Sequence, residues 1–407
     1  MKKTAAKDLA VNGGKPVREH PPEQKVLTDE TEINEVVKVI KSGKLTSLSS
    51  DVVEKFENEF AGYCGAKYAI AVNSGTAALH VALAALDIGP GDEVIVPPYT
   101  FIATASAVLQ QNALPVFADI KRDTLNIDPV EIEKKITPRT KAIIPVHIFG
   151  MPAEMKAINR VARRHNIPVI EDACQAHGAT IDGKMVGNFG KLACFSFQES
   201  KNMATGEGGI IVTNNRTLAE KCRIIRHIGM KGKYEYVTLG YNYRMPAMSA
   251  AVGLAQLKKL PDFNRYRAET AEYFRRKLTG LPIEFIDAQK GIVSANHLFP
   301  FVLKTKTIEE TYGIYSALCA ENIPVWWVYP RPIYSVEFFK DMKVYPKSCP
   351  FCCGLRNEKY NCKDNECPVA EEITRSTLVL PVAPCYSSAV KSAIVKAMWK
   401  VIPFYCG

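Results

Sequence analysis

The sequence predicts an α/β protein: a large domain with a mainly parallel seven-stranded sheet flanked by helices, then a smaller C-terminal α+β domain. Three observations carry this. From residue 66, short β-branched runs alternate with longer amphipathic stretches, the pattern of a sheet covered by helices on both faces. Beyond about residue 265 the alternation gives way to a long charged helix and isolated strands. A length of 407 residues also exceeds what one ordinary hydrophobic core accommodates.

The strands are expected at Tyr68–Val72, Glu93–Val96, Pro115–Ala118, Lys141–Val146, Pro168–Glu171, Leu192–Ser196 and Gly209–Thr213. Between them, Thr76–Leu86, Ala103–Gln111, Ala153–His165 and Leu218–His227 carry apolar residues at helical spacing. Ser249–Leu260 reads as a further helix that Pro261 stops, because proline lacks the N–H and its ring crowds the preceding turn. The smaller domain is expected to hold a helix at Tyr266–Leu278, a strand at Leu298–Leu303, and helices near Ile308–Glu321 and Ser387–Val401. The boundaries are therefore an N-terminal arm over 1–25, polar and Pro-rich and expected over a neighbour, a large domain over 26–265, and a small domain over 266–407 with a Cys-rich insertion at 346–367.

A hydrophobic content of 47% with 23% charged residues is that of a globular chain, and no stretch approaches the ~20 apolar residues of a membrane span. The opening Met-Lys-Lys is followed by polar residues, so a cytoplasmic protein with no membrane partner is expected. The net charge of +10 is scattered among acids over the whole length, which argues against a nucleic-acid surface and suits a phosphate-bearing cofactor or substrate. Twelve cysteines without an apolar leader favour a reducing compartment.

Three segments carry candidate chemistry. In Ser196-Phe197-Gln198-Glu199-Ser200-Lys201, a buried strand breaks into a loop that presents a lysine. Such a lysine suits imine formation with a cofactor aldehyde and proton shuttling, and equally suits a solvated loop. In Pro168–Gly178 an apolar strand ends in Glu171-Asp172, at the end of an α/β sheet where ligands bind. Asp172 suits a partner for a pyridinium nitrogen or an N-cap, and Gln175 and His177 follow within reach of the same ring. Asn73-Ser74-Gly75-Thr76-Ala77 links a strand to a helix, where free N–H groups favour a phosphate and small residues equally favour packing. Phe101, after the next strand, offers a ring for stacking on a flat cofactor or for the core.

In this order, and together with Gly91–Pro97, Pro145-Val146-His147, Gly240–Met245 and Cys367–Glu371, these segments resemble the DegT/DnrJ/EryC1/StrS family of fold-type-I sugar aminotransferases over nearly the whole chain. The resemblance implies pyridoxal phosphate as cofactor, Lys201 as the Schiff-base lysine, Asp172 as partner of the pyridine nitrogen and Gln175 on the ring hydroxyl. It further implies Gly75, Thr76, Ala77 and Ser196 around the phosphate, Phe101 on the ring face, and Asn242 reaching the phosphate of a neighbouring subunit in a homodimer. The implied reaction has two stages. Glutamine or glutamate leaves its amino group on the cofactor, and a keto-sugar or keto-cyclitol then receives it, with Lys201 moving the protons. Retention of lysine disfavours a sugar-dehydratase branch that carries histidine there. A lyase on the same site and a regulatory protein without catalysis are the other readings.

Gln198, where many nucleotide-sugar members carry histidine, and Asn12–Val17 lean toward cyclitol-type members with glutamine as donor. Trp326, Trp327, Tyr329 and Arg331 fall where members of the family line the substrate pocket, and aromatic faces suit sugar rings; small-domain core is the other reading of the tryptophans. His147 and His177 read as structural or as supports behind the residues that touch a ligand, since neither belongs to a metal-ligand cluster. Cys349, Cys352, Cys362 and Cys367 have a spacing compatible with a structural zinc, a disulfide or free thiols, and no catalytic metal is expected.

Overall fold

Seven strands form the central sheet in a computed structural model, which describes residues 5–305, 307–341, 344, 350–351 and 366–406. They are β1 (Tyr68–Val72), β2 (Glu93–Val96), β3 (Leu114–Phe117), β4 (Thr140–Ile143), β5 (Ile170–Asp172), β6 (Leu192–Ser196) and β7 (Gly209–Thr213). β2 pairs in parallel with β3 and β4, β5 pairs in parallel with β6, and β7 lies antiparallel between β6 and β1. Parallel bridges Ile143–Val169 and Val146–Asp172 join the halves, so the order is β3-β2-β4-β5-β6-β7-β1. The mainly parallel seven-stranded sheet is as expected, with β7 the one antiparallel strand.

β2, β6 and β7 are buried along their whole length because helices cover both faces. Those helices are α1 (Glu30–Ser42), α2 (Val52–Cys64), α3 (Gly75–Ala85), α4 (Ala103–Gln110), α5 (Met155–Arg164), α6 (Arg216–Arg226) and α7 (Ala247–Leu278). α1 starts at a capping box in which Asp29 accepts from Thr31 N–H and Glu32 from Asp29 N–H. Glu32 is buried and also accepts from Lys259 and Gln256 of α7, so a charged pair, together with the apolar contact of Val36 and Val39, seats α1 on the molecule.

The stop expected at Pro261 is absent: α7 runs for 32 residues through it. A proline inside a helix costs about 3 kcal/mol. Leu254, Leu257 and Leu260 before it are buried against α2, and Phe274 and Leu278 after it are buried in a second core. At about 1.5–3 kcal/mol per buried side chain, that packing outweighs the lost hydrogen bond.

The second core surrounds an antiparallel sheet of β8 (Ile283–Phe285), β9 (Leu298–Leu303) and β10 (Thr377–Pro381), with β9 central. α8 (Ile308–Ala320) and α10 (Ser388–Tyr405) belong with it, while α9 (Pro368–Ser376) buries Ala370 and Ile373 in the core of the central sheet. The first turn of α9 is tied to the central sheet by Asp119, whose carboxylate accepts from Val369 and Ala370 N–H at 2.9 Å each. The first described residues pack on their own chain. Leu9 is fully buried in the second core, and Ala10 and Val17 donate to the Glu321 carboxylate, as does Lys400. Among the described residues no helix is long and apolar enough to cross a membrane, and no grouping of His, Cys, Asp and Glu suits a metal. Cys349, Cys352 and Cys362 lie outside the described residues, and Cys367 is a buried free thiol.

Candidate active site

The carboxyl ends of β1, β2, β4, β5 and β6 open into a cavity of about 800 Å³. Ser74, at the end of β1, caps α3: its hydroxyl accepts from Ala77 N–H at 3.1 Å and its carbonyl from Ala78 N–H at 3.0 Å. The N–H groups of Gly75 and Thr76 have no partner among the described residues and stand at the positive end of the helix, where an anion is favoured. Gly75 is required there. A Cβ on it would stand 2.7 Å from Ser196 Cβ and 3.1 Å from Cys174 Sγ. The close approach brings the Ser196 hydroxyl, at the end of β6, beside the same N–H groups. Ala77 does not line the cavity, since its own N–H is taken by Ser74.

Opposite, Asp172 ends β5 and is 5% exposed. Its Oδ2 accepts from the Thr104 hydroxyl at 2.8 Å and its Oδ1 from Cys174 N–H at 3.2 Å, which fixes the carboxylate toward the cavity. The neighbouring acid has a different task. Glu171 is fully buried on the other face of the strand and accepts from Gly187, Phe189 and Gly190 N–H and from His147 Nε2. Burial alone would raise its pKa, but His147 and the backbone donors hold it below the ordinary carboxylate value. Ala153 N–H donates to His147 Nδ1, so Nε2 carries the proton given to Glu171. His147 is thus structural, as expected. His177, buried against Phe195 and Phe197, belongs to the core and does not reach the ring site.

Lys201 projects from the loop between β6 and β7, which is closed by Phe197 N–H to Gly208 and Thr205 N–H to Phe197. The lysine is half-buried and lines the cavity. Loss of water pushes its pKa below the ordinary lysine value, against the opposing pull of Cys174 and Asp172. More of it is therefore the neutral, nucleophilic amine.

Gln175 Oε1 accepts from Phe149 N–H at 2.7 Å and its Nε2 donates to the Tyr329 hydroxyl at 3.1 Å. Phe149 and Tyr329 both hold left-handed backbone, with φ of 54° each, and their rings stack at 6.0 Å. Such strain persists where surroundings over-determine it, and here it turns Tyr329 into the cavity beside Trp326. Trp327 points away, donating to the Thr374 carbonyl. Gln198 lines the cavity with its oxygen held by Ser200 N–H and Oγ. Phe101 stands at the mouth, 56% exposed, and Arg331 is exposed in an adjoining hollow that Phe101 and Tyr329 share. Asn242 is exposed and outside the cavity.

Sequence reasoning passed over Ser74, Thr104, Cys174 and His297 as cavity-lining residues. Ser74 was legible as an N-cap; Thr104 and His297 join the site only through folding. The residues present fit pyridoxal phosphate: free N–H groups and a hydroxyl for the phosphate, a carboxylate for the ring nitrogen, and a lysine whose pKa favours the free amine.

The chain is 40% identical over 329 residues, 81% of its length and 82% of the other's, to a UDP-N-acetyl-3-dehydro-alpha-D-glucosamine 3-aminotransferase of Acidithiobacillus ferrooxidans. It is 36% identical over 357 residues, 87% of its length and 90% of the other's, to a pleiotropic regulatory protein of Geobacillus stearothermophilus. It superimposes on the crystal structure of S. venezuelae DesV in complex with a ketimine intermediate with a TM-score of 0.81 and 35% identity, covering 91% of this chain and 94% of that one. Residues 26–357 match the family's pattern, and the chain belongs to the DegT/DnrJ/EryC1/StrS aminotransferase family.

Proposed function

We propose that this protein moves an amino group from glutamine or glutamate to a ketone on a sugar ring, using pyridoxal phosphate. The observation that carries the reading is the convergence in one cavity of the Lys201 amine, the Asp172 carboxylate and the open start of α3 beside Ser196. The cofactor, when bound, supplies an aldehyde for the amine and a ring that stabilises negative charge on the carbon being deprotonated. Lys201 anchors it, then takes the proton from the donor carbon and delivers one to the ketone carbon. Asp172, held by Thr104 and Cys174 N–H, keeps a proton on the ring nitrogen. Gly75 and Thr76 N–H and the Ser196 hydroxyl bind the phosphate. Gln175, Tyr329 and Trp326 wall the substrate side.

The relative acting on a UDP-linked keto-sugar favours a nucleotide-linked sugar over a free cyclitol. The relative named as a regulatory protein favours a non-catalytic reading, against which Lys201 and Asp172 stand intact. We read residues 26–265 as the cofactor-binding domain and 266–407 as the smaller one, supported by their separate sheets and by a core drawn almost wholly from residues beyond 265. A homodimer is proposed as well. Ile33 and Ile40 on α1 and Tyr234, Tyr236 and Leu239 near Asn242 are exposed, an apolar surface of the kind that a second copy covers. The eight described cysteines are free thiols, which supports a reducing, cytoplasmic setting.

The test is optical. Purified protein with pyridoxal phosphate should show the absorbance of a lysine-bound cofactor, lost in Lys201→Ala and shifted by glutamine or glutamate. A panel of nucleotide-linked keto-sugars and keto-inositols should then restore it. Protein that stays colourless with the cofactor, or a band that no amino donor shifts, sinks the reading.

A further inference from the structure

We propose that His297 reads a ring hydroxyl of the acceptor sugar: its neutral imidazole presents Nε2 as a bare hydrogen-bond acceptor in the cavity wall, with the tautomer fixed by a relay through Asn202 and Asn264. The proposal rests on the reading of the acceptor as a polyhydroxylated ketone.

The relay is anchored by backbone carbonyls, which only accept. Asn264 Nδ2 donates to the His177 carbonyl at 2.7 Å, so Asn264 Oδ1 faces Asn202 as an acceptor. Asn202 Nδ2 donates to that oxygen at 2.9 Å and to the Ala295 carbonyl at 2.8 Å. Its oxygen is then the atom 3.3 Å from His297 Nδ1, and Nδ1 must carry the proton. Turning the Asn202 amide over would set its oxygen against Asn264 Oδ1 and the Ala295 carbonyl. Turning Asn264 as well would set an oxygen against the His177 carbonyl.

The ring is also held neutral. His297 is 6% exposed, and burial, with Lys201, Arg267 and His177 as its charged or chargeable neighbours, pushes its pKa well below the ordinary histidine value. Its backbone is clamped by His297 N–H to the Phe149 carbonyl at 2.9 Å and by Arg267 Nη1 to the His297 carbonyl at 3.1 Å. Among the described residues the ring's hydrogen bond is the one at Nδ1, and His297 lines the cavity with Lys201, Trp326 and Tyr329. Three neighbouring oxygen acceptors already receive hydrogen bonds: Asp172 from Thr104 and Cys174, Gln175 Oε1 from Phe149, and Gln198 Oε1 from Ser200. Glu207 sits at the exposed rim. His297 Nε2 is a side-chain acceptor in this wall that, unlike those oxygens, already accepts from no group among the described residues, and a sugar hydroxyl is a donor it fits.

Long-range proton–nitrogen spectra of the holoenzyme, labelled at its seven histidines, report which nitrogen is protonated; His297→Gln assigns the signal by its loss. The proton is expected on Nδ1 at neutral pH, and the tautomers should mix in Asn202→Ala. A proton on Nε2 in the wild type, or an unchanged tautomer in Asn202→Ala, overturns the relay. The keto-sugar accepted in the panel is then compared with its deoxy analogues. The wild type should prefer the hydroxylated sugar at one ring position by about 10- to 100-fold in kcat/KM. That preference should collapse in His297→Phe and survive in part in His297→Gln, whose amide oxygen also accepts. A preference unchanged in His297→Phe, or a fall in the same proportion for every analogue, overturns hydroxyl recognition. Colourless protein would instead sink the functional reading, and the tautomer measurement would still decide the relay.

Discussion

Replacing Gly75 with alanine tests the most demanding contact in the site. The added methyl would meet Ser196 Cβ at 2.7 Å and Cys174 Sγ at 3.1 Å. The first is the root of a side chain on a fully buried strand and cannot swing aside. The start of α3 must therefore move away from β6 or remain strained, and overpacking of this kind costs about 1–3 kcal/mol. If the helix moves, the N–H groups of Gly75 and Thr76 separate from the Ser196 hydroxyl, and the cost falls on the cofactor. Since about 1.4 kcal/mol is tenfold in affinity, pyridoxal phosphate should bind roughly 5- to 150-fold more weakly. If the helix stays, the cost falls on stability, and the unfolding temperature drops. Cofactor titration by absorbance and a thermal melt of the cofactor-free protein, run on the same variant, separate the two. Gly62→Ala is the control, because nothing lies within 4 Å of a Cβ there and alanine favours α2. A Gly75→Ala protein with unchanged cofactor affinity and unchanged melting would refute the role given to this approach.

Glu171→Gln should lower the unfolding temperature by several degrees, since an amide set among three N–H donors and His147 leaves buried groups unsatisfied at about 3–5 kcal/mol; calorimetry measures it, and a loss as small as that of a surface Glu→Gln would refute the burial argument. Because the folded-state pKa of Glu171 is depressed, its stabilisation is present above the ordinary carboxylate value of 4.5 and is lost as pH falls through the folded-state value. Lys201 works in the opposite sense. With its folded-state pKa below 10.5, the unfolded chain binds more protons between the two values, so the cofactor-free protein gains stability as pH rises through that window. Lys201→Met should flatten that part of the melting profile, and identical slopes would contradict the burial of the amine. Pro261→Ala should stabilise the protein by about 1–3 kcal/mol by restoring a donor inside α7, and a denaturant midpoint that falls would show the proline to be required.

The central sheet was legible because strands buried on both faces are written as unbroken apolar runs, and β6 and β7 are such runs. α7 was misread for a related reason. A proline is a local signal, whereas the burial of Leu260 on one side and Phe274 on the other is visible only after folding. α1 escaped notice because its apolar pattern is broken: Glu32 is buried beside Val39 while Ile33 and Ile40 face outward. No periodicity argument finds a helix whose buried anchor is a carboxylate paired with a lysine more than two hundred residues away. In the site, Lys201 and Asp172 could be singled out because each ends or follows a strand whose apolar run stops abruptly. Thr104 and His297 could not, since what gives them a role is a partner remote in sequence.

Glu171 and Asp172 show how the strand itself sorts chemistry. Consecutive residues of a strand face opposite sides of the sheet, so two adjacent carboxylates are exposed to different worlds. Glu171 meets three backbone N–H groups and a histidine, is saturated by them, and has nothing left to offer a ligand. Asp172 meets one hydroxyl and one N–H, both from the cavity side, which leaves lone pairs for a positively charged ring nitrogen. A shift of register by one residue would exchange the two and place the saturated acid in the site. That register is fixed by the pairing of Ile170, Glu171 and Asp172 with Leu192, Ala193 and Cys194 of β6, two residues short of Ser196. The strand pairing that builds the core therefore also sets which carboxylate faces the cavity and where the Ser196 hydroxyl stands relative to it.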